Sequence, residues 1–351
     1  MNKIYEVKEM KQGYVSLEGR ILEKDAMYYL GFTNSSITFT VKGNTENGSS
    51  AEATKVKMEI HTQEGAEVNE AGLRIYVDGV KTKEIVVKHE ITDYEIAELS
   101  GSDLHTIRVV KITEAAMSYA AVKKIEIENG EFVKQPDQED TRTKVEFIGD
   151  SITCGYGVLG EPESEYTIRE EDGELCYAAF MAKEMNWNAS WISASGYGMY
   201  QDYEEQPDNN VPKLYPYVNW FVDPTVRMNY ADFEPEFIFI NLGTNDCNYF
   251  HKESGLQGYI KAYQDFLWVL RKAHPQAKII CTIGTECETA YPHILTAVEA
   301  VRAEGFDGVY TYELPYHNVE LDGIASGHPT EATHRKDARR LLDYMKQEGL
   351  L

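Results

Sequence analysis

The sequence predicts two domains, an N-terminal all-β sandwich of jelly-roll type and a C-terminal α/β domain built on a parallel sheet. Three observations predict them. Short alternating runs separated by turn residues fill the first third of the chain. A polar, proline-bearing stretch follows, and beyond it apolar strands take turns with helical periodicities. At 351 residues the chain is also too long for one ordinary domain and suits two cores.

In the first domain, Ser36-Ile37-Thr38-Phe39-Thr40-Val41-Lys42 puts Ile37, Phe39 and Val41 on one strand face and hydroxyl side chains on the other. Similar runs recur at residues 56–60, 73–77, 84–87, 104–112 and 120–127. Gly43-Asn44, Asn47-Gly48 and Asp78-Gly79 punctuate them as turns. No clear amphipathic helix intervenes, which favours an antiparallel sandwich. The pattern breaks near Asn129-Gly130, and Gln135-Pro136-Asp137-Gln138-Glu139-Asp140 reads as a linker. The expected boundaries are a sandwich over residues 1–135, a linker over 136–143 and a second domain over 144–351.

The second domain switches period. Residues 145–148 form an apolar strand, 175–185 have helical spacing, 191–194 form a second strand, and 237–242 are a continuous apolar run suited to a buried parallel sheet. A long helix follows, its apolar stripe running through Leu256, Ile260, Tyr263, Leu267 and Leu270. Strand 278–283, helix 294–301, strand 309–314 and helix 330–346 complete a doubly wound pattern. In such folds the site lies beyond the carboxyl ends of the strands.

Composition narrows the function. With 42% hydrophobic and 26% charged residues, the chain is globular and not disordered. Its formal net charge of −24 repels phosphate backbones and anionic lipid, so neither nucleic acid nor membrane is an expected partner. The N-terminal residues show no apolar run, so a signal peptide is not expected, and a cytoplasmic location with reduced thiols is. Cys154, Cys176, Cys247, Cys281 and Cys287 are odd in number and lack CxxC spacing, which argues against a zinc site or a disulfide framework. Neither metal-ligand spacing nor a phosphate loop occurs, so no cofactor is expected.

Chemistry-bearing residues stand at the strand ends. The first strand runs into Gly149-Asp150-Ser151-Ile152-Thr153, where Ser151 is either a nucleophile or a plain helix cap. The second ends in Ser195-Gly196-Tyr197-Gly198, where a glycine N–H can approach a ligand closely or merely form a turn. The third ends in Gly243-Thr244-Asn245-Asp246, where Asn245 can present an amide or close an Asx-turn. His328 lies between the last strand and the last helix, with His317 and His334 as rivals. Together they supply a nucleophile, a base and oxyanion donors, a complete acyl-transfer set. Asp150 and Asp246 read as loop ties that accept backbone N–H bonds.

On these residues the sequence resembles the SGNH (GDS-type) hydrolase superfamily. Ser151 in Gly-Asp-Ser-Ile-Thr, Gly196, Asn245 in Gly-Thr-Asn-Asp, and His328 match its four defining residues. Gly19-Arg20, Gly31-Phe32, Lys42-Gly43-Asn44 and the stretch from Leu214-Tyr215-Pro216 to Trp220 extend the resemblance to carbohydrate esterase family two. That resemblance implies a jelly roll joined to an SGNH domain, and removal of acetyl groups from xylan and related polysaccharides. It implies Ser151 as nucleophile, His328 as base, and an oxyanion hole of Ser151, Gly196 and Asn245. One departure stands out. Most SGNH enzymes carry an Asp two or three residues before the His, and here those positions are Ser326 and Ala325. A Ser–His dyad, known in some members of the resembled family and oriented by a backbone carbonyl, is favoured; Asp322 folding back is the alternative.

The expected substrate is therefore an acetylated oligosaccharide or polysaccharide, and imported oligosaccharides suit the expected location. A lipid or thioester hydrolase on the same fold is the enzyme alternative, and a carbohydrate-binding protein with a decayed site is the other. The connection from Tyr197 to Tyr230 is rich in aromatics, most of them core fillers beneath a long loop; Tyr197, beside Gly196, is the one expected at the substrate. Assembly into a homo-oligomer is left open.

Overall fold

The computed structural model describes residues 2–43, 53–66, 69–134, 140–162, 164, 166–317, 324, 325 and 327–351. The chain divides into two units, Met1–Thr141 and Arg142–Leu351. Much of the segment expected as a linker, residues 136–139, lies outside the described residues.

Period-two alternation builds the first unit. One antiparallel sheet has the order β3(Ile21–Lys24), β4(Met27–Leu30), β11(Ala120–Glu128), β6(Thr54–His61), β9(Asp93–Leu99), with β1(Asn2–Glu6) also on β11. The other runs β12(Gly130–Val133), β5(Ser36–Gly43), β10(Leu104–Lys111), β7(Ala71–Val77), β8(Val80–Val87), with β2(Val15–Glu18) also on β5. Ile37, Phe39 and Val41 enter one core with Val56, Met58 and Ile60 from the opposite sheet. In β11 the buried side chains pass from Val122 to Ile125, a change of parity made by a register shift between Val122 and Lys124. Asp78-Gly79 joins β7 to β8 as a two-residue turn with both residues at positive φ. The sequence reading missed β9. Its Ile96 and Ala97 are adjacent and both buried, and the β6–β9 pairing shifts register at Val56/Lys57, so strict alternation is lost. A one-turn helix, α1(Val7–Met10), was also not expected.

In the second unit five parallel strands take the order β14(Asn188–Ser193), β13(Lys144–Gly149), β15(Phe237–Asn241), β16(Lys278–Thr285), β17(Val309–Tyr316). Phe147 and Phe239 stack at 5.1 Å on one face, in a core shared with Tyr177 and Met181 of α3(Tyr177–Glu184) and Leu341 and Met345 of α7(Glu331–Gln347). α5(Glu253–Ala273) and α6(Tyr291–Ala303) pack against each other. The buried face of α5 is Tyr259, Tyr263, Phe266, Leu267 and Leu270, while Leu256 and Ile260 are only half-buried. The core stripe is therefore rotated toward the aromatic residues. From β13 the chain steps outward to β14 and then back past β13 to β15, so the topological switch point lies between β13 and β15.

Candidate active site

Two functional segments leave the sheet at this switch point. β13 ends at Gly149, and Asp150 caps the single-turn helix α2(Ser151–Cys154) by accepting the Ile152 N–H at 3.1 Å. Gly149 is required here, because a Cβ would lie 2.0 Å from Thr153 Oγ1. Ser151 thus becomes the first residue of a helical turn, where its own N–H has no intrahelical acceptor. That is the geometry of a nucleophile with a backbone donor attached.

His328 comes from the other end of the domain. It lies in β19(His328–Pro329), a short strand paired with β18(Ile324–Ala325), so the expected loop is a small hairpin leading into α7. Its Nε2 is 2.8 Å from Ser151 Oγ across 177 residues of sequence. A neutral imidazole with Nε2 as acceptor can take the hydroxyl proton directly. The rivals are placed elsewhere. His334 is buried in α7 and accepts the Tyr177 N–H on Nδ1; burial holds its pKa down to about 3, so it stays neutral. His317 is buried beyond β17, where its N–H donates to the Thr285 carbonyl and burial lowers its pKa. Asp322, the alternative orienting acid, lies outside the described residues, as does Ser326.

The two remaining predicted residues lie on two loops that a hydrogen bond ties together. Gly196 has φ +80°, and a Cβ there would lie 2.8 Å from the Tyr203 ring, so conformation and space both select glycine. The Asn245 side-chain amide donates to the Tyr197 carbonyl at 2.9 Å, tying the end of β15 to the loop after β14. Asp246 reinforces this tie, accepting the N–H groups of Met199, Tyr200 and Gln201 at 2.8, 2.9 and 3.1 Å. Burial still lifts the Asp246 carboxyl to about 6 against these three bonds. Asp150 is raised further, to about 7, by burial and by the charge of Asp246. Asp246 is a loop tie, as expected from the sequence, whereas Asp150 caps its own turn.

Tyr197 is half-buried, its ring edge-on to Phe221 at 5.9 Å. Tyr215 is a core residue, its hydroxyl donating to the buried Glu146 at 2.7 Å. Sequence reasoning did not single out two aromatics beside the site, Tyr203 and Tyr156. Tyr203 is 56% exposed and covers Gly196. Tyr156 lies 4.7 Å from the His328 ring and is stacked at 3.8 Å on Tyr166. Tyr156 follows Ser151 by five residues, a spacing that reads as helix exit and not as site. Glu286, just beyond β16, was also missed; burial and the nearby Asp150 raise its carboxyl to about 8.

Residues 147–336 match the GDSL-like Lipase/Acylhydrolase family, and residues 17–136 match the Carbohydrate esterase 2 N-terminal domain. The cellulase/esterase CelE of Acetivibrio thermocellus is 27% identical over 78% of this chain, which spans only 33% of that protein's length. An acetylxylan esterase / glucomannan deacetylase of Cellvibrio japonicus is 20% identical over 95% of this chain and 88% of its own. The structure of a family two carbohydrate esterase from Clostridium thermocellum in complex with cellohexaose superposes with a TM-score of 0.83 and 25% identity, covering 96% of this chain and all of that one. The two-domain fold is that of the family two carbohydrate esterases. Matched over more than half of its length by the family model, the chain belongs to the GDSL-like lipase/acylhydrolase family.

Proposed function

We propose that this chain is a serine carbohydrate esterase that removes O-acetyl groups from xylan or xylo-oligosaccharides through an acyl-Ser151 intermediate. The observation that carries the reading is the 2.8 Å contact between Ser151 Oγ and His328 Nε2 at the switch point of the sheet. The carbohydrate esterase 2 N-terminal match and the acetylxylan esterase relative direct the acyl group and the alcohol. Among the described residues no helix is long and apolar enough to cross a membrane. Among the described residues no disulfide joins the five cysteines, which suits a reducing compartment and imported oligosaccharides as substrate.

His328 takes the Ser151 proton as Oγ attacks the acetyl carbonyl. The oxyanion is held by the N–H groups of Ser151 and Gly196 and by the Asn245 amide. His328 then protonates the departing sugar hydroxyl, and water repeats the sequence to release acetate. A Ser–His dyad runs these steps, the imidazole being oriented by a backbone carbonyl. The exposed Tyr203 ring at Gly196 offers a face for a sugar ring.

Acetate release from acetylated xylo-oligosaccharides tests the reading, with Ser151→Ala and Asp322→Ala beside the wild type. Release should vanish in the first and persist in the second. Loss in both folded variants would make Asp322 a third catalytic member. A wild type that leaves xylo-oligosaccharides untouched but prefers long-chain p-nitrophenyl esters would contradict the substrate assignment.

A further inference from the structure

We propose that Tyr156 is a positioning residue for the His328 base, its ring holding the imidazole and stabilising the imidazolium that forms when the Ser151 proton arrives. The inference rests on the Ser151–His328 reading above. Tyr156 is anchored to the nucleophile's own turn, its N–H donating to the Ser151 carbonyl at 3.1 Å. Its ring centroid lies 4.7 Å from that of His328, with the planes tilted by 48°. That separation is within the roughly 6 Å over which an aromatic ring attracts a cation.

The ring is supported from behind. Tyr166 stacks on Tyr156 at 3.8 Å and 9°, and the Tyr166 hydroxyl donates to the buried Glu171 carboxylate at 2.8 Å. Glu171, Tyr166, Tyr156 and His328 thus form a continuous packed chain with a carboxylate at its far end. Two and three residues before His328 the sequence holds Ser326 and Ala325, neither of which can bear a charge. An aromatic contact supplies part of what a carboxylate supplies elsewhere: a fixed ring orientation and a preference for the protonated form. In the reaction the proton moves from Ser151 Oγ to His328 Nε2, and Tyr156 neither gains nor loses a bond.

The groups around His328 set the sign of the test. From the nucleophile turn it meets Ser151 and Tyr156, and its neighbour on α7, His334, is kept neutral by burial. Asp150 caps the Ser151 turn, and Asp322 lies outside the described residues. A ring that favours imidazolium raises the pKa of His328. Its removal lowers that pKa and moves the acid limb of the rate profile to lower pH.

The experiment is the pH dependence of kcat and KM for p-nitrophenyl acetate in wild type, Tyr156→Leu, Tyr156→Phe and Ser151→Ala. Tyr156→Leu should lower the acid-limb midpoint by about 0.5–1 pH unit and kcat about tenfold, with KM changed less than about twofold. Tyr156→Phe, which keeps the ring, should restore the wild-type limb. An unmoved limb in Tyr156→Leu, or a raised KM alone, overturns the proposal. Should Tyr156→Leu fail to fold, Tyr166→Leu removes the support instead and should shift the limb in the same direction; an unmoved limb there also overturns it. Wild-type turnover by Ser151→Ala would overturn the Ser151–His328 reading itself.

Discussion

An amide side chain carries two protons, and Asn245 gives one of them to the Tyr197 carbonyl at 2.9 Å. The other is available to an oxyanion, and the bond already made fixes the direction in which the amide points. Asn245→Ala should therefore lower kcat by about 10²–10³ while leaving the thermal transition within about 1 kcal/mol, because the residue is only half-buried. Steady-state kinetics beside a thermal melt checks both halves; near-normal kcat would remove Asn245 from the site. At this scale the Ser151–His328 pair and the Asn245 and Asp246 ties were legible because each residue stands where a strand gives way to a loop or a short hairpin. Tyr156 and Tyr203 were not. Their spacing from Ser151 and Gly196 carries no periodic signal, and only the turn geometry shows which rings face His328 and Gly196. Adjacency to Gly196 points to Tyr197, whose half-buried ring lies edge-on to Phe221.

Strand ends gather charge as well as catalysts. Asp150 follows β13, Asp246 follows β15 and Glu286 follows β16, and burial raises all three carboxyls, to about 7, 6 and 8. Each folded-state pKa lies above its unfolded value. The associated stability is complete below the unfolded pKa, near 4, and is lost as pH rises through about 6–8. The melting temperature should accordingly fall between pH 5.5 and pH 8.5. Glu286 Oε1 is buried without a hydrogen-bond partner among the described residues, so Glu286→Gln removes one of these charges at little structural loss. It should flatten the slope and gain at least about 1 kcal/mol at pH 8.5, roughly 2–4 °C. Parallel curves for the two proteins would show that Glu286 is not held neutral. No local pattern announces this cluster, since the three residues are far apart in sequence and meet only through the parallel order of the strands. The elements themselves were legible where alternation or helical spacing is regular, as in β5, and were missed where a register shift breaks it, as in β9.

The whole chain reads as two domains because its hydrophobic period changes once, from two residues to alternating strand and helix. That change, not composition, made the fold class legible. The order β14-β13-β15-β16-β17 places the ends of β13 and β15, after which Ser151 and Asn245 stand, side by side, and the last hairpin brings His328 to Ser151. A net charge of −24 suits a neutral glycan ester better than a phosphate-bearing substrate. In the proposed reaction acetyl passes through Ser151. Its most direct test is rapid quenching of the enzyme during turnover of p-nitrophenyl acetate, followed by peptide mapping. An acetyl group is expected on Ser151 at early times and absent in His328→Ala; turnover with Ser151 unmodified at every time point would rule out the acyl-Ser151 intermediate.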